Sequence, residues 1–531
     1  MVSKVSWMRV VNRCVSLTAV SCVVFLASCA SRQTVPRVAV DLSRAEALVH
    51  EGCYECLQEA LALYETAASQ PNARPLALRS AFTTAVLTAT RAKELGLPAD
   101  SALALARGWA AKQTSPALTQ LPPQAYLDAL QLVDGETSGL IPEERERLNR
   151  ERRAAWPTTD GQLPAARAAL TPVLATDIVA QYLAIAIDCE DARARKSVNH
   201  TAISARYPQP LMRFRLALCG IPGWRLDPLR QADARWRDTL FFEGRFEMSR
   251  FPAPDVGRAA ELFDRAHAAF PTSVAITLAL ANARNALEEF DVALALFDGI
   301  LETEPTHREA LLGRVLSLSY LRRHYDAIRT ATQMIDLGTY HMGDAYYWRA
   351  WNRYQVHELP SAWSDVEEAT KLMVNTAVYT LAGFIAYAQR NLDTAIERLD
   401  RAYRMDNTNC EAVWTEGMVH VDKEQWEHSS ARFTTAAACF ATDAKTAREA
   451  IVTAENSTWA ESVKARRIAT ARKRVESSEH RHAQSAFNAA SSYLRLRNKS
   501  EALEYVALAA QHPLLKEKAA ALRATIERLP D

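Results

Sequence analysis

Residues 259–271 read AAELFDRAHAAFP, and residues 293–305 read ALALFDGILETEP. The two stretches lie 34 positions apart and share a pattern: a small residue (Ala259, Ala293), Phe four places on (Phe263, Phe297), another non-polar residue three later (Ala266, Ile300), and a closing Pro271 or Pro305. An i, i+4, i+7 spacing marks one face of an α-helix. The triplet recurs as Ala327, Ala331, Met334; Ala362, Val366, Ala369; Ala395, Leu399, Ala402; and Ser429, Phe433, Ala436. Steps between first members are 34, 34, 35, 33 and 34. A helical bundle with accidental spacing would not hold so tight a period.

Composition agrees. The 531 residues include only 16 Gly, and Ala and Leu abound, which favours helix over strand because Gly is costly inside helices. The net charge of +1 with 24% charged residues gives no overall field to recruit nucleic acid. At 49% hydrophobic residues the chain is expected to be ordered outside a short N-terminal tether.

The repeat resembles the tetratricopeptide repeat, a helix–turn–helix of 34 residues. The resemblance implies an all-α, right-handed α-solenoid, because single hairpins bury their apolar faces only by stacking on their neighbours. Six units resemble it over residues 240–440, and a seventh, degenerate copy runs through Phe487, Tyr493, Ala502, Val506 and Ala509. Units three and four are expected to differ by one residue in the turn between their helices. The first unit has an insertion at residues 251–255. Expected divisions are a leader (1–28), a lipidated cysteine and tether (29–46), an irregular helical region (47–230) read as divergent repeats with a separate all-α domain packed against the array as the alternative, the array (231–455), and a last repeat with its cap (456–531). In the cap, Leu514, Leu515 and Leu522 are expected to cover the final face. In the irregular region, helices are expected near 77–95, 99–112, 123–134, 163–187 and 209–218, with a charged connector at 142–157.

The N-terminus carries a second resemblance. Lys4, Arg9 and Arg13 precede an apolar run at 15–25, and Leu26-Ala27-Ser28-Cys29 follows. The order is that of a secretory signal, and the run is too short to span a bilayer, which needs roughly 20 residues. The four-residue box resembles that of bacterial lipoproteins. This implies that Cys29 bears the lipid, and Ala30 in place of Asp implies the outer membrane, on its periplasmic side in preference to the cell surface.

Six cysteines remain in a mature chain: Cys53, Cys56, Cys189, Cys219, Cys410 and Cys439. An even number outside the cytoplasm suggests disulfides. In a tetratricopeptide hairpin the start of the first helix and the end of the second lie together. Cys410 and Cys439, 29 residues apart, and Cys189 and Cys219, 30 apart, could thus pair, or remain as buried thiols. The CxxC at Cys53–Cys56 lacks the following His of haem attachment and a second ligand pair for zinc. A local structural disulfide is the favoured reading over a redox pair.

Catalytic signatures are missing from the sequence: it has no GxG pair, phosphate loop, GxSxG or HExxH. Glu479-His480-Arg481-His482 reads as surface, and the six cations of residues 464–474 read as a solvated helix face. No metal or cofactor is expected, and no catalysis. The resemblance implies that positions two, five, nine and twelve of each first helix line a concave groove. Mapped here they include Asn282, Asn285, Trp348, Asn352, Gln355, Thr380, Phe384, Tyr387, Trp414, Met418 and Val421. Aromatics there supply rigid contact area and amides can bond an extended backbone. The function expected is a membrane-anchored scaffold or assembly factor of the cell envelope that holds an unidentified protein or peptide in the groove. Alternatives are a glycan- or nutrient-binding lipoprotein, or an accessory to a peptidoglycan enzyme.

Overall fold

The computed structural model describes residues 42–70, 75–112, 122–132, 162–190, 200–206, 208–219, 226–250, 253–338 and 341–530. Cys29, the expected leader at 1–28 and the expected connector at 142–157 lie outside these. Among the described residues there is no strand. The helices are α1 (Leu42–Glu51), α2 (Tyr54–Ala68), α3 (Pro75–Glu94), α4 (Asp100–Lys112), α5 (Pro123–Leu132), α6 (Leu163–Leu170), α7 (Ile178–Glu190), α8 (His200–Arg206), α9 (Pro210–Leu218) and α10 (Asp227–Ala232). There follow α11 (Thr239–Met248), α12 (Val256–Ala269), α13 (Val274–Ala286), α14 (Phe290–Thr303), α15 (Arg308–Tyr320), α16 (His324–Leu337), α17 (Met342–Gln355), α18 (Leu359–Leu372), α19 (Thr376–Ala388), α20 (Leu392–Met405), α21 (Cys410–Asp422), α22 (Trp426–Glu455), α23 (Glu461–Arg495), α24 (Lys499–Ala509) and α25 (Lys516–Glu527).

From α11 onward each helix packs on the next, and first helices also touch across units: α13 on α15, α15 on α17, α17 on α19, α19 on α21. This is an α-solenoid. The triplet residues are its core: Ala259, Phe263, Ala266, Ala293, Phe297, Ala327, Ala331, Ala362, Val366, Ala395, Leu399 and Phe433 are all buried. Small partners admit the large ones. A Cβ on Gly313 would strike the Phe297 ring, and one on Gly417 the Phe433 ring.

After the first unit, six turns among the described residues join first to second helices, and each spans three residues. Each holds a non-glycine residue at positive φ: Glu288, Arg322, His357, Arg390, Glu424 and Arg497. In each, the next residue's N–H reaches back to a carbonyl five positions earlier, as Arg323 does to Leu318 at 2.8 Å and Gln425 to His420 at 2.9 Å. That bond closes a Schellman-type helix end. The turn length is constant, so the expected one-residue departure in the turns of units three and four is corrected. The extra residue sits inside α17, with 14 residues against 13 in α15 and α19. The linker after α18 is correspondingly short, at residues 373–375.

Two further expectations change. The helix expected over 163–187 is two, α6 and α7, broken by a 3₁₀ turn at Thr171–Val173. Pro172 has no N–H to continue the ladder, and Asp177 Oδ1 accepts from Val179 N (2.9 Å) and Ala180 N (3.0 Å) to start α7 anew. In the cap, Leu515 is buried and Leu522 packs on the last core cluster as expected, but Leu514 is 72% exposed, and Ala519 and Ile526 join in closing the face. The first helix also begins at Leu42, inside the stretch assigned to the tether.

The region before the array is not a simple row of hairpins. Helix α1 touches α9, and α3 touches α7. Its core runs without a break into the first units, from Ala45 to Ala283. At its centre lies a fully buried charge network. Glu94 accepts from Arg91 (2.7 Å), Arg215 (2.5 Å) and the Tyr182 hydroxyl (2.7 Å), and Arg91 also pairs with Asp238. Two cations face two carboxylates. Burial works against the Arg91 charge, yet Tyr182, Asp238 and Glu94 outweigh it and raise its pKa.

The other end departs furthest from a plain array. Helix α22 has 30 residues and α23 has 35, against 14 for an ordinary second helix such as α20. At 1.5 Å per residue α22 is about 45 Å long. Its second half and the first half of α23 form an antiparallel arm, held by Arg474 and Ser478 on Asp443 and by Arg448 on Glu479. The arm crosses back to the start of the array. There α23 packs on α12, Val463 is buried, and Arg466 donates to the Ala286 carbonyl at the end of α13.

Candidate functional site

Helix α15 ends at Tyr320, and the turn that follows carries Arg322. Helix α17 lies alongside. Between them opens a cleft of about 700 Å³. Ser319, Tyr320, Arg322 and His324 form one wall, and Tyr347, Trp348, Trp351 and Gln355 the other. The volume is in the range of small-ligand and peptide-anchor sites.

The aromatic rings are in contact. Tyr320 stacks on Phe290 from the start of α14, with centroids 4.6 Å apart and planes 7° from parallel. Its other neighbour is Trp348 at 6.3 Å, and Trp348 meets Tyr347 edge-on at 5.3 Å. Aromatic faces thus run across three successive units. Tyr320 is 59% exposed, so its ring is open to solvent while it stacks on Phe290. Burial raises the Tyr347 hydroxyl pKa, with a smaller contribution from Tyr320, so it remains a proton donor at neutral pH.

The polar groups divide into used and free. Asn352 donates to Ser319 Oγ (2.7 Å) and to the Trp348 carbonyl (2.8 Å), and its Oδ1 faces His324 Nδ1 at 2.8 Å. Ser319 Oγ donates in turn to Val315 O at 2.7 Å. Arg322 has no acidic partner among the described residues, and no carboxylate lines the cleft.

Among the groove residues expected from sequence, Trp348 and Gln355 do line this cleft. Asn352 is corrected: it is fully buried and its amide is consumed, so it ties α17 to α15 and α16 and is not available to a ligand. The cause is the extra residue in α17, since each residue turns a helix by about 100°. Asn285 also bridges units, accepting from Ser317 Oγ at 2.8 Å, while Asn282 is exposed. Thr380 takes a 2.7 Å bond from Asn409. Phe384 and Tyr387 are half-buried against the core of units five and six. The Tyr387 pKa is pushed up to about 12 by burial and by Asp422. Trp414 lies under the Arg481 guanidinium, 4.5 Å away, and Met418 Sδ is 3.7 Å from Asn488 Nδ2, so α23 covers both. Val421 is half-buried. Sequence reasoning passed over Tyr320, Tyr347, Trp351, Phe290 and Arg322. The run YYWRAW at 346–351 was the available signal.

The six cysteines fall into three pairs with sulfurs at bonding distance: Cys53 with Cys56, Cys189 with Cys219, and Cys410 with Cys439. Their Cα separations are 5.0, 5.4 and 5.5 Å, all ordinary for disulfides. Cys53 caps α2, accepting from Cys56 N at 3.0 Å. Glu51, Cys56 and Asp233 lie close enough to suggest a metal site. The donor set does not fit one, because Cys56 is paired and both carboxylates bind Arg235.

Stacked helix–turn–helix units without strands among the described residues make this an all-α solenoid, the architecture of tetratricopeptide repeats. No family model matches the chain, and no curated protein does. Solved structures do. YrrB, described as a TPR protein with an unusual peptide-binding site, is 20% identical, with 34% of this chain and 93% of that one covered at a TM-score of 0.30. The C-terminal part of a TPR repeat-containing protein from Cytophaga hutchinsonii is 13% identical, covering 54% and 98% at 0.37. A tetratricopeptide repeat protein from Parabacteroides merdae is 12% identical, covering 55% and 99% at 0.34.

Proposed function

We propose that this protein is a lipid-anchored, non-catalytic scaffold or assembly factor of the bacterial cell envelope, holding a segment of a partner protein in the groove formed by its first helices. The observation that carries this reading is the aromatic cleft between units three and four, where rings are exposed beside Arg322, which has no acidic partner among the described residues. Attachment to the outer membrane through Cys29 rests on the sequence of the leader. No helix among the described residues is long and apolar enough to cross a membrane.

Recovery of partners from envelope extracts tests the reading. The full chain with its lipid site intact is compared with a Tyr320→Ala, Trp348→Ala variant. The expected outcome is a discrete partner lost from the variant. Equal recovery from both would remove the groove from the account. Release of a Cys29→Ser variant from the membrane fraction is the expected result for the anchor.

A further inference from the structure

We infer that the seam between the arm and the start of the array is a second binding site, and that it takes a fatty acid: one alkyl chain with an anionic head. The site is separate from the aromatic cleft and does not depend on it.

A cavity of about 530 Å³ opens where the arm meets α12 and the end of α13, a size in the range of small-molecule sites. Its floor is mostly apolar. Ala447 of α22 and Val463 and Ala471 of α23 are buried there. Pro254, Val256 and Leu287 supply the wall on the array's side. No aromatic ring lines it among the described residues, so a nucleobase or a sugar finds no face to stack on. The one lining carboxylate, Asp255, is buried and caps α12, accepting from Arg258 N at 2.9 Å. An alkyl chain asks only for apolar surface to leave water.

Charge selects the head group. Arg466, Arg467 and Arg474 line the cavity. Arg474 is matched by Asp443, outside the lining, and Arg467 lies over the Trp459 ring, 4.7 Å from its centroid. The Arg466 guanidinium is placed at the wall itself: it donates to the Ala286 carbonyl, and the next residue, Leu287, lines the cavity. That bond uses one of five N–H donors, and Arg466 has no carboxylate partner among the described residues. With Asp255 and Asp443 both counted, three cations stand against two anions, so the local field favours an anion. A chain seated here touches both arm and array, so its uptake fastens one to the other.

Photolabelling tests this. The full mature chain in phosphatidylcholine nanodiscs is irradiated with dodecanoic acid carrying a diazirine in its tail, and adducts are mapped by peptide mass spectrometry. Adducts are expected in residues 447–450 and 462–474, competed by unlabelled decanoate. Octanoate should compete about fifteen-fold less well, because each CH₂ withdrawn from water is worth about four-fold in binding. Decanol should compete about five-fold less well than decanoate, the scale of one partly exposed ion pair. Arg466→Gln, which keeps a donor for the Ala286 carbonyl but drops the charge, should bring the two to parity. Ala450→Trp, at the exposed mouth, should block labelling; Ala441→Trp, exposed on the same helix and outside the lining, should not. Thermal melts establish that each variant is folded. No adduct in these segments, equal competition by decanol in the unaltered chain, or labelling that survives Ala450→Trp would each overturn the inference. So would labelling of the seam by a diazirine-tailed phosphatidylglycerol in place of the fatty acid. Any of these leaves the aromatic cleft standing, because partner recovery with the Tyr320→Ala, Trp348→Ala variant is read separately.

Discussion

At the residue scale, the groove and the scaffold compete for the same side chains, and hydrogen bonding decides which wins. Asn352 has the residue type of a peptide-binding amide, yet its donors and acceptor all serve Ser319, Trp348 and His324. Replacing it by Ala leaves those buried partners unsatisfied, at a cost of about 2–3 kcal/mol. A urea melt is expected to show that loss with partner binding intact in the folded fraction. The turns offer the opposite test. Glu424 sits at φ 54°; its N–H bonds the Val421 carbonyl at 2.9 Å, and its side chain has no hydrogen-bond or ion-pair partner among the described residues. A left-handed conformation costs a residue with a Cβ roughly 1–2 kcal/mol. Glu424→Gly should therefore raise stability by about 1 kcal/mol, and an unchanged melt would show that the turn carries no such strain. The triplets that set the repeat were legible because burial demands small and large residues at fixed spacing. Asn352 was misread because a single extra residue in α17 rotates everything after it, and sequence spacing alone does not say where along a unit an extra residue lies.

Among the elements, the hairpin of unit six is joined covalently as well as by packing. Cys410 opens α21 and Cys439 lies nearly half-way along the 30 residues of α22, at the point where an ordinary second helix would end. Closing a loop of about 30 residues stabilises by roughly 3–4 kcal/mol in the chain-entropy model. Cys410→Ser with Cys439→Ser should lower the melting temperature, and reductant should then add nothing at this site. The arm beyond Cys439 depends on Asp443. Burial raises its pKa, but hydrogen bonds from Arg474 and Ser478 outweigh that and hold the carboxyl below its usual range. A depressed folded pKa means stability that is full above the ordinary value near 4 and is lost as pH falls through the lowered one. Hydrogen exchange in the arm should therefore quicken as pH falls below about 4 relative to the rest of the chain, after correction for intrinsic rates. Asp443→Asn should remove that dependence. The expected cap could not show the arm, because Ala-rich helix interiors such as Ala444, Ala447 and Ala471 look alike whether they face a neighbouring repeat or a partner in a long hairpin.

Over the whole molecule, the arm and the N-terminal region act on the same part of the array. Arg466 reaches Ala286 and Val463 packs near Leu287, so the last units are tied to the first two. Ser273 in turn donates to Leu95, tying those first units to the N-terminal helices. The shape of the groove is thereby set at both ends. A Val463→Asp, Arg466→Ala variant is expected to release the arm tip and enlarge the radius of gyration in small-angle scattering, with helix content unchanged. An unchanged radius would mean that neighbour packing alone fixes the curvature.

The central claim is that the aromatic cleft is the working surface. A photo-crosslinking residue placed at Tyr320, with the same residue at Arg329 of α16 for comparison, tests it directly in intact cells. The account predicts a discrete envelope-protein adduct from position 320 and none from 329. Equal adducts at both positions, or an adduct from 329 alone, would contradict it.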